Sequence, residues 1–181
     1  MAEQRKYTRT TKSAVKSKPV DEYGHLQPQA IDFEEAVLGA LMIEKDAYSI
    51  VSEILRPESF YDHKHQLLYR AIMTLAMRQQ PIDILTVAEQ LRSTGDLEEA
   101  GGPFYITQLS GKVASSAHIE YHARIIAQKF LARELITFTS NIQTKAFDET
   151  QDVDDLMQEA EGKLFEISQK NMKKDYTQIN P

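Results

Sequence analysis

Two histidines four residues apart, His118 and His122, share one face of a helix, the spacing at which two imidazoles can meet one zinc ion. The sequence sets no third ligand beside them: Glu120 falls on another face, and the chain contains no cysteine. They read as surface or capping side chains. Asp62-His63-Lys64-His65 is the other histidine cluster, with Asp62 placed to cap a helix. Ser115-Ser116 precedes a long helical pattern and reads as an N-cap, not as a nucleophile. Acidic side chains are scattered over solvent faces, so no catalytic carboxylate pair stands out.

Phosphate chemistry is equally sparse. A P-loop needs G-x-x-x-x-G-K-[ST], but Gly111-Lys112 is followed by Val113 and lacks the upstream glycine. Gly101-Gly102 is followed by Pro103, which has no N–H to offer a phosphate, so this pair reads as a turn. Residues 86–100 could form a helix-turn-helix with Gly95 in the turn. Its second element would be Asp96-Leu97-Glu98-Glu99-Ala100, and three acids in five residues repel a phosphate backbone. Charge is divided along the chain. Residues 1–18 carry a net +5, and the whole carries −6, which leaves −11 for residues 19–181. The acidic body argues against a dedicated DNA-binding domain. The basic tail keeps open a second reading, a nucleic-acid-binding module acting through residues 1–18.

The elements that would position these residues are helical. At 181 residues and 41% hydrophobic content the chain suffices for one cored domain with an appendage. No apolar run approaches 18 residues, and the opening MAEQRKYTRT lacks the apolar stretch of a signal peptide. With no cysteine for disulfides, a cytoplasmic protein without a membrane partner is expected. Residues 1–29 read as a disordered basic tail. A helix from Ile31 carries Ala36, Val37, Leu38, Leu41 and Met42. Asp46 is the expected cap of a short helix with Tyr48, Ile50, Val51, Ile54 and Leu55, stopped by Arg56-Pro57. Phe60 and Tyr61 should turn inward, and a helix should span His63–Arg78. Thr86 and Glu89 suggest a capping box, Gly95 a left-handed stop, and Leu97–Ala100 and Phe104–Leu109 two short helical pieces.

From Ala117 to Phe147 no glycine or proline interrupts the pattern, which implies a helix on the order of 45 Å long. Ile119, Ile126 and Phe130 form a stripe in its first half only. Leu131, Leu135, Phe138, Ile142 and Ala146 form another on nearly the opposite side. The first half should therefore be wrapped by the preceding globule and the second should project. Asp152 caps a last helix, Val153–Ser168. The expected fold is all-α: a small orthogonal helical globule (30–116), then a long helix and a projecting antiparallel helical hairpin (117–170), with 171–181 beginning a linker.

Several motifs in this order resemble the N-terminal domain of DnaB-type replicative DNA helicases. Glu34-Glu35-Ala36-Val37-Leu38-Gly39 is similar to that family's E-x-x-V-L-G. Phe60-Tyr61 with His65 matches F-Y-x-x-x-H, and Pro81-Ile82-Asp83 with Thr86 and Leu91 matches P-I-D-x-x-T-x-x-x-x-L. Leu97, Gly101-Gly102 and Tyr105 match L-x-x-x-G-G-x-x-Y. Residues 115–121 resemble S-A-A-N-I-x-x-Y, with His118 where asparagine is usual, and Ala114 stands where proline is common. Leu156–Ile167 resembles the final hairpin helix.

The resemblance implies a collar on a helicase hexamer, paired through hairpins into a trimer of dimers and receiving primase, with a helicase loader as a further candidate partner. It places subunit or primase contacts at Leu135, Ile136, Phe138 and Ile142, and at Tyr105. It also implies that ATP and Mg, and most DNA contact, belong to a RecA-like ATPase domain beyond this sequence. The fragment itself would then hold no cofactor, catalytic residue or metal. The implied setting is the replication fork at the bacterial nucleoid.

Overall fold

The computed structural model describes residues 26–112 and 118–172, with side chains to 169. Seven α-helices appear among the described residues: α1 Ile31–Leu41, α2 Ala47–Ser52, α3 His63–Met77, α4 Ile84–Thr94, α5 Gly102–Gly111, α6 Ile119–Ala146 and α7 Val153–Met172. A short 3-10 turn, Pro57–Ser59, precedes α3. No β-strand occurs among the described residues, and none of their helices is long and apolar enough to cross a membrane. The tail at 1–25, the caps at Ser115-Ser116, Ala114 and residues 173–181 lie outside the described residues.

Helix α1 is the centre of the globule because it is apolar on most of its circumference. Val37, Leu38 and Leu41 are buried against α3, α5 and α6. Leu68, Tyr69 and Ile72 of α3, Val87 and Leu91 of α4, and Ile106 and Leu109 of α5 complete the core. Ile119, Ala123 and Ile126 of α6 join it from the other side, so the first turns of the long helix belong to the globule. Beyond them Ala127 and Arg133 still touch the globule, and the rest of α6 packs on α7 as the hairpin.

Local chemistry departs from the sequence reading in five places. The cap of α4 is Asp83, not Thr86. The Asp83 carboxylate accepts from the N–H groups of Leu85 and Thr86, each at 2.9 Å, and the Thr86 hydroxyl accepts from Asp83 N–H at 2.9 Å. The box lies one turn earlier because Ile82 and Val87, on either side of it, both pack on the core. Glu89 pairs instead with Arg92 on the surface. Leu97–Ala100 forms turns, not a helix, because only five residues separate two left-handed glycines, Gly95 (φ +83°) and Gly101 (φ +100°). Gly95 ends α4 as expected, with Asp96 N–H donating to Leu91 C=O at 2.9 Å in a Schellman arrangement. Asp46 sits at the start of α2, but its side chain makes no cap; its carbonyl accepts the Ser49 hydroxyl at 2.7 Å. Ile50 faces outward. The end of the expected disordered tail, residues 26–29, lies among the described residues, and its Pro28 carbonyl is bound by α6.

Candidate functional site

A line of polar side chains runs through the globule between α1, α3 and α5. The Glu34 carboxylate is buried in the first turn of α1. One oxygen accepts Tyr61 N–H at 2.8 Å; the other lies 3.4 Å from Asp62 N and 2.7 Å from His65 Nδ1. A carboxylate only accepts, so Nδ1 carries the hydrogen. His65, fully buried on α3, turns Nε2 toward the Tyr105 hydroxyl at 2.7 Å, and the two rings stack with centroids 6.1 Å apart. Tyr105 O lies 3.3 Å from Glu35 Oε1, and Glu35 pairs in turn with Lys112. Buried charges persist when each is paired and hydrogen-bonded, and this line meets that condition. Burial, then the charges of Glu35 and Asp62, raise the Tyr105 hydroxyl above the ordinary tyrosine range.

Tyr105 also explains Gly101. A Cβ at residue 101 would lie 2.7 Å from Tyr105 Cδ1, so the positive φ and the close ring both require glycine there. Tyr105 is half-buried, with its hydroxyl turned into the globule and Lys64 Nζ 5.2 Å from its ring centroid. The structure thus makes it part of an internal polar line. His63 pairs across the surface with Glu99 at 3.2 Å, so one of the three acids that count against DNA contact is held by α3. Phe33 meets His122 edge-on at 5.1 Å, and His118 is exposed. No group of three or more His, Cys, Asp or Glu is placed to hold a metal among the described residues.

The second region is the hairpin. Leu135, Phe138 and Ile142 are half-buried on one side of α6, whereas Ile136 turns outward. The four contact candidates on α6 therefore share a helix but not a face, and Tyr105 belongs to the globule. Phe138 borders a groove of about 520 Å³ between α6 and α7, with Phe130, Arg133 and Asn141 on one wall and Lys163 and Ile167 on the other. On α7, Leu156 and Ile167 are buried, while Val153, Met157 and Leu164 face away. Phe165 is 63% exposed, and Phe147 at the tip is 81% exposed. The apolar stripe of α7 is wider than one partner helix covers. Sequence reading missed Phe165, although a phenylalanine beside Leu164 widens that stripe visibly.

Arg133 was also missed. It stands on α6 two turns past Ile126, the last core residue of that helix, with Nη1 donating to Pro28 C=O at 2.8 Å and Nη2 to Ser59 C=O at 2.7 Å. Its guanidinium carbon lies 5.5 Å from the Tyr61 ring centroid and 5.6 Å from that of Phe130. Burial lowers its proton affinity, with Glu34 and then Tyr61 acting the other way. Both acceptors are backbone carbonyls distant in sequence, so no local spacing pointed to them.

A helical globule whose last core helix runs on into a projecting hairpin defines this molecule as an N-terminal domain of the replicative-helicase type. The crystal structure of the N-terminal domain of DnaB helicase from Mycobacterium tuberculosis is similar with a TM-score of 0.73 and 35% identity, covering 77% of this chain and 98% of that one. The chain belongs to the family described as DnaB-like helicase N terminal domain, whose model matches residues 26–128. Among curated relatives, the replicative DNA helicase DnaB of Rhodothermus marinus is 43% identical over 157 residues, which is 87% of this chain and 17% of that protein. The replicative DNA helicase DnaC of Bacillus subtilis is 39% identical over 145 residues, 80% of this chain and 32% of that one. The chain thus spans about a third or less of these relatives' length. A further solved structure, described as a DnaB-like replicative helicase and its interactions with primase, is similar with a TM-score of 0.63 at 28% identity, over 76% of this chain and 31% of that one.

Proposed function

We propose that this domain forms part of the collar of a hexameric replicative helicase, pairing with other copies through its hairpin and docking primase. The observation that carries the reading is the outer face of the hairpin. Val153, Met157, Leu164 and Phe165 of α7 and Ile136 of α6 are exposed among the described residues, on the side of the hairpin that the α6–α7 contact leaves open. Apolar faces of this kind mark protein–protein contacts. The similar helicase described with its primase supports the choice of partner. In the longer protein, a RecA-like domain holding ATP and Mg would unwind DNA, with this domain setting subunit arrangement and receiving primase and a loader.

Sedimentation equilibrium over a concentration series tests the pairing, and titration with the helicase-binding domain of primase tests the docking. Dimers or larger species are expected. Ile136→Asn and Ile142→Thr should each weaken primase binding while leaving the far-UV circular dichroism unchanged. A strict monomer at high concentration would overturn the pairing, and unaltered binding by both variants would overturn the site. The +5 charge of residues 1–18 supports a second reading, nucleic-acid binding through the tail. That reading requires salt-dependent binding to single-stranded DNA that is lost when residues 1–18 are deleted.

A further inference from the structure

Helix α6 belongs to two regions at once, and its residue order shows where it passes from one to the other. Ile119, Ile126 and Arg133 recur every seven residues, which keeps them on one helical face. The first two are buried in the globule core. Arg133 occupies the next place on that face, and Thr137 and Ser140 continue it with side chains too short and polar to extend the core. An uninterrupted helix leaving a globule is held only as far as its last anchor. Past that point its direction is free to vary by small rolling and bending at the exit.

Arg133 is that last anchor. Its two bonded carbonyls belong to Pro28, 105 residues away in sequence, and Ser59, 74 residues away, and come from different segments of the globule. The guanidinium lies flat in fork geometry, so two divergent donors fix rotation about the α6 axis as well as distance. The Tyr61 ring beneath it is itself set in place, since Tyr61 N–H is bound by buried Glu34. We propose that Arg133 is the positioning residue that sets the direction of the α6–α7 hairpin relative to the globule. Its further consequence, that Arg133 thereby sets the angle at which hairpins pair, rests on the collar reading; the direction itself does not.

The native chain has no cysteine, so spin labels can be placed at will. A label pair at Ser93→Cys on α4 and Gln151→Cys at the hairpin turn reports the angle. A control pair at Glu44→Cys and Ser93→Cys reports the globule alone. All three substitutions fall on exposed residues, and labelled protein is diluted into unlabelled protein so that only distances within one chain are read. With Arg133 present, the Ser93–Gln151 distance distribution should be narrow. In Arg133→Met it should at least double in width, while the Glu44–Ser93 distribution keeps its width. Arg133→Lys keeps the charge and donors but loses the rigid planar fork, so it should restore part of the narrowing.

A native width in Arg133→Met overturns the proposal, as does equal broadening of both pairs, which would mean general loosening of the globule. If Arg133→Met does not fold, Arg133→Lys decides alone, broadened for the proposal or native against it. A domain that is monomeric in sedimentation would remove the collar reading without affecting these distances.

Discussion

The globule and the outer half of the hairpin are built from similar residues and use them in opposite ways. In the globule, Phe60, Leu38 and Ile72 are closed off from solvent, and even charged groups such as Glu34 are enclosed with partners. In the hairpin, Phe165, Met157 and Leu164 stand in solvent, and charged groups pair where water reaches them, as Lys145 does with both oxygens of Glu159. The globule encloses a shared core of several helices, although Leu85 and Phe104 stand on its surface, and the outer hairpin leaves most of one apolar face of α7 exposed. The same helix, α6, serves both, so the division is one of environment and not of secondary structure.

Core deletion gives the largest expected contrast. Phe60→Ala should cost about 3–5 kcal/mol in urea unfolding, because Phe60 is fully enclosed. Phe165→Ala should stay within about 0.5 kcal/mol at concentrations where the domain is monomeric, yet weaken association in sedimentation. Equal losses of stability would erase the distinction between the two regions.

Charge removal should follow the same division. Glu34→Gln removes the charge and turns one of the two accepting oxygens into an NH2 donor, so either His65 Nδ1–H or Tyr61 N–H loses its acceptor inside the protein, and it should cost about 3 kcal/mol. Glu159→Gln breaks an exposed hairpin pair and should cost under about 0.5 kcal/mol. Thermal unfolding of the two variants side by side checks the ratio.

The two left-handed glycines separate backbone strain from packing. Gly95→Ala meets open space and should lose only the left-handed penalty, about 1 kcal/mol. Gly101→Ala adds the collision with Tyr105 and should lose about 2 kcal/mol or more. Equal costs would mean that Tyr105 is not held against Gly101.

The smallest effect concerns pH. Tyr105 is raised in the folded state, so its contribution is complete below the unfolded tyrosine value of about 10 and declines as pH rises beyond it, where only the unfolded chain releases the proton. Tyr105→Phe should therefore show a shallower fall of stability between pH 10 and 11 in urea titrations. An unchanged slope would place Tyr105 outside the polar line.

Helix positions were legible because apolar spacing, Asp62 as a cap and Gly95 as a stop act within a few residues. The α4 cap was misplaced because two S/T/D-type candidates lay three residues apart, and the packing of Ile82 and Val87 on the core favoured the earlier one. The reading of α6 as wrapped first and projecting second followed from its two stripes, one of which ends halfway. Tyr105 could be singled out from its motif, but its hydroxyl turns to His65 and Glu35, residues 40 and 70 positions away. Arg133 gave no signal, because an arginine that binds backbone carbonyls has no side-chain partner whose spacing could announce it.

The sequence by itself determined the all-α class, the order of the helices and the family, since periodicity, caps and motif order are properties of neighbouring residues. Tertiary structure alone decided which charges are enclosed, where α6 leaves the globule and which side of α7 stays bare. Those outcomes depend on segments that meet only after the chain has folded, when burial makes a distant carbonyl or carboxylate the nearest available partner.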